Sequence, residues 1–271
     1  MPVDTTEHDI PIKGDLFHYN RTGSGKTPLV LLHGFSDNWR CWLPEAEELQ
    51  ECDVILPDAR GHGLSARVQP EQEFDAVEDT ANLIQALGLQ RPIVGGHSMG
   101  AMTASRLGAT YPDLVRALVL EDPAWFMPRP GRQGHVSFKD SPLGGWIREL
   151  QKLSLEEVIA QNRPQHPSWS EATLRYWCEG KLQLDPNFMT ARSVFRGSWQ
   201  DEVRAYACPV LLVRASSKKG GLVTPKVARL ADELNPRVQV VQIRGASHHA
   251  RFDRHTDYMK KVKPFLASLE A

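Results

Sequence analysis

The sequence predicts an α/β fold, in which helices cover both faces of a mostly parallel β-sheet and a helical insertion lies over the strand ends. Three observations point to it. Short apolar segments such as residues 28–34 alternate along the chain with segments of helical periodicity. These apolar segments do not alternate apolar with polar residues, so both faces of the sheet should be covered. One stretch, residues 123–205, shows no convincing strand pattern and interrupts the alternation.

The first half of the chain follows this alternation closely. Its clearest helical pattern is at 74–88, where Phe74, Val77 and Ala81 fall on one face and a glycine ends the pattern. The predicted order is an antiparallel pair at 9–23, a buried strand at 28–34, a helix at 39–50, a strand at 53–58, a helix at 74–88, a strand at 91–96, a helix at 101–112 and a strand at 114–122.

The second half returns to the same alternation after the insertion. Residues 123–205 are too many for a loop and carry short helical patterns, so we expect a helical cap. The cap would be inserted between the two parts of one α/β core, residues 1–122 and 206–271. The predicted core elements after the cap are a strand at 209–215, a helix near 225–235, a strand at 238–245 and a final helix near 252–269.

Composition excludes several classes of partner. The 271 residues carry a formal net charge of −1, which gives no global attraction to nucleic acid or to a membrane surface. The four cysteines lack metal-type spacing, and no secretory signal or membrane-length apolar run is visible, so we expect a cytoplasmic protein. The segment GSGKT at 23–27 lacks the first glycine of a phosphate-binding loop and leads into a strand. We expect no metal and no organic cofactor.

The motif that carries chemistry is G-x-S-x-G at residues 96–100, GHSMG. It follows an apolar strand directly and precedes a helix directly, which is the setting of a nucleophile elbow. The turn is so tight that side chains at the flanking glycines would collide, and the nucleophile is forced into a strained conformation. Ser98 is therefore expected above the end of the strand, near a helix N-terminus that favours developing negative charge.

With this motif, the chain resembles the capped α/β-hydrolases, a superfamily of esterases, lactonases, C–C hydrolases and dehalogenases. The matching segments are LLHGF, DARGHGLS, GHSMG and GASHH, and they occur in the family order over nearly the whole chain. The resemblance implies the α/β-hydrolase fold. It says much less about the substrate, because one fold hosts many functions. A serine at position 98 argues against dehalogenases and epoxide hydrolases, whose relatives use Asp at the elbow.

A serine nucleophile needs a base, and the family order of Ser, acid and His places that base after the last strand. His248 in GASHH matches the family position, and its neighbour His249 is the alternative. Ser247 stands where the family pattern has glycine. The resemblance gives structural roles to His33, His62 and His97.

The acid that orients the base is absent from its usual place. Many relatives carry it after the strand that follows the cap, but the segment LLVRASSKKGGLVTP at 211–225 contains no Asp or Glu. Some relatives resemble this arrangement and use an acid after the strand that follows the nucleophile helix, where this chain has Glu121 and Asp122. Successive strand side chains point to opposite faces, so only one of the two should reach the base. We expect Asp122, with Glu121 as the alternative.

The resemblance also implies an oxyanion hole and a substrate pocket. The backbone amides of Phe35 and Met99 are the expected oxyanion donors. The predicted cap is rich in aromatic residues, and its candidate substrate-binding residues are Trp125, Phe126, Trp146 and Trp177. The same aromatics are equally consistent with a cap core.

These features predict a serine hydrolase of the carboxylesterase or lactonase type, EC 3.1.1, acting on an ester, lactone or activated amide. The expected partner is a small molecule that is partly apolar or aromatic, and the chain is expected to be a monomer or a homodimer. Two alternatives stay open. One is a C–C bond hydrolase or cofactor-independent oxygenase of the same fold, and the other is a hydrolase-like ligand receptor.

Overall fold

The computed structural model describes residues 5–23, 25–70, 72–125, 134–136, 141–190, 192–195 and 198–269. Its centre is an eight-stranded sheet, mixed at one edge and parallel elsewhere, in the order β1-β2-β4-β3-β6-β7-β10-β11. The strands of this sheet are β1 (Thr6–Ile12), β2 (Asp15–Arg21), β3 (Thr27–Leu32), β4 (Cys52–Pro57), β6 (Ile93–His97), β7 (Ala117–Glu121), β10 (Val210–Arg214) and β11 (Val238–Gln242). The strands predicted for the core are all present, and the predicted fold class is confirmed.

Helices connect the parallel strands and cover the sheet. They are α1 (Leu43–Glu48), α2 (Ala76–Ala86), α3 (Met99–Thr110), α8 (Pro225–Leu234), α9 (Ala250–Asp253) and α10 (His255–Ser268). Local signals mark their ends. The Asp75 side chain accepts from the amides of Val77 and Glu78 at the start of α2, and Gly88 takes a φ of +65° just after that helix. Pro44 lies in the first turn of α1, where a missing N–H costs nothing.

The two faces of the sheet bury separate hydrophobic clusters. One cluster joins Val30, Ile55 and Leu118 to residues of α2, α3 and α8. The other joins Leu29, Val54 and Val119 to residues of α1 and α10. Alternate residues of each strand thus point to opposite faces, and both faces are apolar. This explains why the strand segments read as continuous apolar runs.

Between β7 and β10 the described chain forms α4 (Pro142–Leu150), α5 (Leu155–Asn162), α6 (Glu171–Gln183) and α7 (Trp199–Ala205). The sequence predicts no strand here, and that prediction is wrong. Strands β8 (Gly134–Val136) and β9 (Arg192–Phe195) form a small sheet with β5 (Glu73–Phe74). Their lengths of three and four residues are too short to show a periodic pattern. Helix α7 contacts α3, where the Arg106 Nε donates to Glu202 at 2.7 Å.

A search of the described helices finds none with both the length and the apolar character that a membrane crossing requires.

Candidate active site

Ser98 lies in the turn between β6 and α3 with φ 53° and ψ −110°, a backbone conformation that residues other than glycine rarely adopt. The neighbouring glycines explain how the turn closes. A Cβ on Gly96 would lie 2.4 Å from the carbonyl carbon of Gly100, and a Cβ on Gly100 would lie 2.2 Å from the carbonyl oxygen of Leu32. The Ser98 amide donates to the carbonyl of Glu121 at 3.0 Å, which ties the turn to the end of β7. This is the geometry that the G-x-S-x-G motif predicts.

His248 and Asp122 are in contact at the same edge of the sheet. The Nδ1–H of His248 donates to Oδ2 of Asp122 at 2.7 Å, and the carboxylate is fully buried. Asp122 follows the last residue of β7 and has a φ of +43°, outside the range of a strand. Its two oxygens also accept from the amides of Leu222 and Val223 at 2.8 and 3.0 Å. In many relatives the segment after β10 carries the acid. Here the backbone amides of that segment donate instead to a carboxylate that follows β7.

Glu121 points to the opposite face, as strand alternation predicts. It accepts from the backbone and the guanidinium of Arg251, at 3.0 and 2.8 Å, and both side chains are fully buried. Burial raises the pKa of Glu121, and the positive charge of Arg251 opposes this rise. The structure therefore brings Asp122, and not Glu121, to the imidazole of His248.

His249 lies in a different environment from His248. Its Nε2 accepts from the indole N–H of Trp177 at 3.3 Å, and its ring packs against Trp169 and Phe252. Removal from water lowers the pKa of His249 well below its ordinary value, so the ring is neutral. His249 is thus a packed side chain against α6.

Ser98 and His248 line one cavity of about 290 Å³. Most of its described wall is aliphatic or aromatic, and the apolar side chains that line it include Phe17, Leu32, Phe35, Phe74, Leu83, Met99, Met102, Leu143, Phe188 and Leu222. Besides Asp58, the wall carries a pair of charged residues, Arg60 and Asp79. They are bound to each other, because the guanidinium of Arg60 donates to both oxygens of Asp79 at 2.8 and 2.9 Å.

The two residues expected to carry the oxyanion donors, Phe35 and Met99, line the same cavity as Ser98. Two histidines support the loop that contains Phe35. His62 Nε2 accepts from the amide of Ser36 at 3.2 Å, and His33 Nε2 accepts from the amide of Ala59 at 3.0 Å. His62 is fully buried, and this burial lowers its pKa to about 3. Both rings therefore have the structural role expected of them.

The tryptophans expected to bind substrate lie elsewhere, and this corrects the sequence-based expectation. Among the described wall residues of the cavity, Trp125, Trp146 and Trp177 do not occur. Trp125 stacks on Trp199 at 5.0 Å and donates to Ser105, while Trp146 and Trp177 pack together at 5.8 Å. They form hydrophobic core, which the sequence alone did not distinguish from a pocket wall. Phe126 lies outside the described residues.

Three side chains bring possible metal-ligand atoms together beneath the site. Atoms of Asp37, His97 and His249 lie within 4.8 Å of one another. A cation is already present there, because the Lys181 ammonium lies 2.6 Å from Oδ1 of Asp37. Within the part of the chain that the structure describes, this arrangement is a buried ion pair beside two histidines.

Comparison with known proteins gives the same picture of the fold. The family model for the alpha/beta hydrolase fold matches residues 27–254. The chain is similar to the 2-(acetamidomethylene)succinate hydrolase of Mesorhizobium japonicum, with 31% identity over 240 residues, 83% of each protein. It is 26% identical to the (E)-2-((N-methylformamido)methylene)succinate hydrolase of Acinetobacter baylyi over 211 residues, 72% of this chain and 74% of that one.

Solved structures share the whole architecture at low sequence identity. The esterase RhEst1 from Rhodococcus sp. ECU1013 superposes with a TM-score of 0.76 and 24% identity, covering 99% of this chain and 100% of that one. The crystal structure of E-2-(acetamidomethylene)succinate hydrolase gives a TM-score of 0.72 and 22% identity, covering 97% and 100%. Both are evidence of the fold.

Proposed function

The chain belongs to the α/β-hydrolase fold family and is a hydrolase, and on this premise we propose that it cleaves carboxylic esters through an acyl-enzyme on Ser98. One observation carries the proposal. Ser98, in its strained conformation at the elbow, and the His248 imidazole line one apolar cavity. The buried Asp122 carboxylate accepts a hydrogen bond from Nδ1 of that imidazole. A serine, a histidine and a buried acid at one site are the residues of acyl transfer.

The proposed mechanism follows from the hydrogen bonds. Asp122 accepts the Nδ1–H of His248, which leaves Nε2 unprotonated and available as a base. Ser98 Oγ attacks the substrate carbonyl while Nε2 takes the hydroxyl proton. The protonated imidazole then gives this proton to the leaving alkoxide, and the acyl group stays on Ser98. A water molecule then attacks the acyl group in the same way, with His248 as its base, and releases the carboxylic acid product from Ser98.

The negative charge that develops on the carbonyl oxygen needs hydrogen-bond donors. We assign them to the amides of Phe35, in the loop after β3, and Met99, at the start of α3, both of which line the cavity. Each such donor contributes roughly 3 kcal/mol to the transition state. Two backbone amides and the imidazole of His248 donate to the Asp122 carboxylate. It can therefore stabilise the imidazolium.

The wall of the cavity favours an uncharged substrate. Its described residues are mainly aliphatic and aromatic, and Asp79 binds the Arg60 guanidinium with both of its oxygens. A substrate carboxylate would have to compete with Asp79 for this cation. We therefore infer that the preferred substrates are esters with a neutral, apolar acyl group, lactones included.

The relatives support a second candidate, hydrolysis of an activated amide. The proteins at 31% and 26% identity are named for acetamidomethylene and N-methylformamidomethylene succinates. The same serine, base and acid would attack an amide carbonyl whose nitrogen carries an electron-withdrawing alkene. Such a substrate has two carboxylates, so this candidate requires a cationic subsite that accepts them.

A panel of substrates tests the proposal. Wild type and Ser98→Ala are assayed with p-nitrophenyl acetate, butyrate and octanoate, and separately with 2-(acetamidomethylene)succinate. We expect release of p-nitrophenol that is lost in Ser98→Ala, with little turnover of the succinate. Turnover of the succinate alone would favour the amide candidate. Ester activity that survives in Ser98→Ala would contradict the proposed nucleophile, and inactivity on the whole panel would favour the C–C hydrolase, oxygenase or receptor alternatives.

A further inference from the structure

A buried lysine from helix α6 contacts the loop that carries Phe35. We call residues 33–38 the oxyanion loop. The Nζ of Lys181 lies 2.6 Å from Oδ1 of Asp37 and 3.2 Å from the carbonyl oxygen of Ser36. It also lies 3.9 Å from the centroid of the Trp177 ring. Lys181 and Asp37 are 2% and 1% exposed, so the pair is removed from solvent.

The helix that carries this lysine is packed directly on the loop. A Cβ on Gly180 would lie 2.7 Å from the carbonyl oxygen of Ser36, so only glycine allows this approach. One turn further along α6, the side chain of Gln183 accepts from the Asn38 amide group at 2.7 Å. Helix α6 therefore contacts three consecutive residues of the oxyanion loop. It meets Ser36 through the backbone, Asp37 through an ion pair and Asn38 through a hydrogen bond.

The loop needs such support because its conformation is unfavourable. Ser36 has a φ of +59°, in the region that residues other than glycine rarely adopt. Such a conformation persists where surrounding contacts fix it. The amide of Ser36 is fixed from one side by His62, and its carbonyl is fixed from the other side by Lys181. The residue that precedes it is Phe35.

The same ion pair reaches the histidines beside the nucleophile and the base. Oδ2 of Asp37 lies 3.9 Å from Nδ1 of His97, the residue before Ser98. The Nε2–H of His97 donates to the carbonyl oxygen of His248 at 3.1 Å. The Lys181–Asp37 pair thus lies beside the segment that carries the base.

We propose that Lys181 is a positioning residue that fixes the oxyanion loop in its catalytic conformation. The inference deepens the proposed function and rests on it, because its effect is on the stabilisation of the oxyanion. Lys181 donates to the Ser36 carbonyl and neutralises Asp37, and so it holds the Phe35 amide at the position where the carbonyl oxygen becomes negative. The inserted segment thereby contributes to catalysis without touching the substrate.

The variant Lys181→Met tests this role. We expect kcat for a p-nitrophenyl ester to fall between about 10- and 100-fold, because a displaced oxyanion donor costs up to that order. KM should change by less than about threefold, since oxyanion donors act mainly in the transition state. The matched control is Lys152→Met, because Lys152 is an exposed lysine of the inserted segment that pairs with Glu149. It should keep wild-type kcat.

A trifluoromethyl ketone gives a second readout that general damage to the fold would not reproduce. Ser98 Oγ adds to the ketone carbon, His248 takes the hydroxyl proton, and the ketone oxygen becomes an oxyanion. Its inhibition constant in Lys181→Met should rise by the same factor as kcat/KM falls. A folded Lys181→Met with kcat within twofold of wild type and unchanged inhibition would overturn the inference.

Loss of Lys181 alone leaves Asp37 as a buried, unpaired charge, and the single variant can fail to fold. The double variant Asp37→Asn with Lys181→Met removes both charges and keeps the test open. We expect it to fold, with a thermal midpoint near wild type, and to retain the low kcat because nothing donates to the Ser36 carbonyl. Recovery of kcat together with stability would show that the pair is only structural. Failure of the proposed function would instead appear as a wild type without Ser98-dependent ester hydrolysis.

Discussion

At the scale of single residues, two adjacent carboxyl groups have different roles because Glu121 is the last residue of β7 and Asp122 follows it with a φ of +43°. Asp122 contacts His248 and Glu121 contacts Arg251, although both are fully buried and one peptide bond apart. The sequence predicted that only one of the two would reach the base. The absence of Asp and Glu from the segment after β10 indicated that the acid follows β7. The positive φ of Asp122, which completes the arrangement, leaves no mark in the sequence.

Asp122→Asn and Glu121→Gln should therefore separate catalysis from stability. In Asp122→Asn the amide can no longer hold the base in the required tautomer, and kcat/KM should fall by about 10⁴, the cost of this change in a serine protease triad. In Glu121→Gln the base keeps its acid, but Arg251 loses one of its charged partners and keeps Glu45, so the free energy of unfolding should drop by about 1–3 kcal/mol. Ester hydrolysis and urea unfolding measure the two effects.

The exposed residue Asp113 supplies the matched control for the acid. Asp113→Asn makes the same chemical change outside the site and should alter neither quantity. A large loss of kcat/KM in Glu121→Gln, with Asp122→Asn close to wild type, would reverse the assignment of the acid.

At the scale of elements, the nucleophile elbow depends on a close approach of α3 to the end of β3. The first turn of α3 passes so near the carbonyls of Leu32 and His33 that a Cβ on Gly100 would lie 2.2 and 2.5 Å from them. These contacts are with backbone, which cannot move aside as a flexible side chain can. The second glycine of G-x-S-x-G is thus set by the packing of a helix on a strand.

We expect Gly100→Ala to displace α3 and with it Ser98. The kcat for a p-nitrophenyl ester should fall at least about 100-fold, the cost of roughly 1 Å of misplacement, and the melting temperature should fall as well. The control is Gly145→Ala in α4, where the nearest atom to a new Cβ is the end of the Arg148 side chain at 3.9 Å. Gly145→Ala should keep full activity and be neutral or stabilising, since alanine is the better helix former. Equal effects of the two substitutions would contradict the packing argument.

Local sequence predicts some elements of this fold and misses others. Long apolar runs and the G-x-S-x-G motif predict the core strands and the elbow, because each is set by local sequence. The strands β8 and β9 and the place of the tryptophans depend on packing between distant segments, so local patterns miss them. Lys181 was missed for the same reason. A lysine on a helix normally faces solvent, and its partner Asp37 lies 144 residues away.

At the scale of the whole molecule, buried histidines link the stability of the fold to pH. Burial lowers the pKa of His62 to about 3. It also lowers the pKa values of His97 and His249 well below their ordinary value. These rings stay neutral in the folded chain, whereas in the unfolded chain they bind protons below about pH 6.5. His255 acts in the opposite sense, because hydrogen bonds to Glu45 and Glu48 raise its pKa. Its contribution is present below pH 6.5 and is lost as pH rises above that value.

Stability should therefore fall as pH decreases from 6.5 to 4.5. Each ring that is neutral when folded and protonated when unfolded lowers the free energy of unfolding by up to about 1.4 kcal/mol per pH unit. His62→Asn removes one such ring and can keep its contacts, because an amide can accept from Ser36 and donate to the Arg60 carbonyl. Urea unfolding across this range should give a slope shallower than wild type by about that amount, whereas His8→Asn, on the exposed edge strand β1, should follow the wild-type slope. Parallel curves for His62→Asn and wild type would mean that His62 is protonated inside the folded protein, in conflict with its burial and with the hydrogen bond it accepts from Ser36.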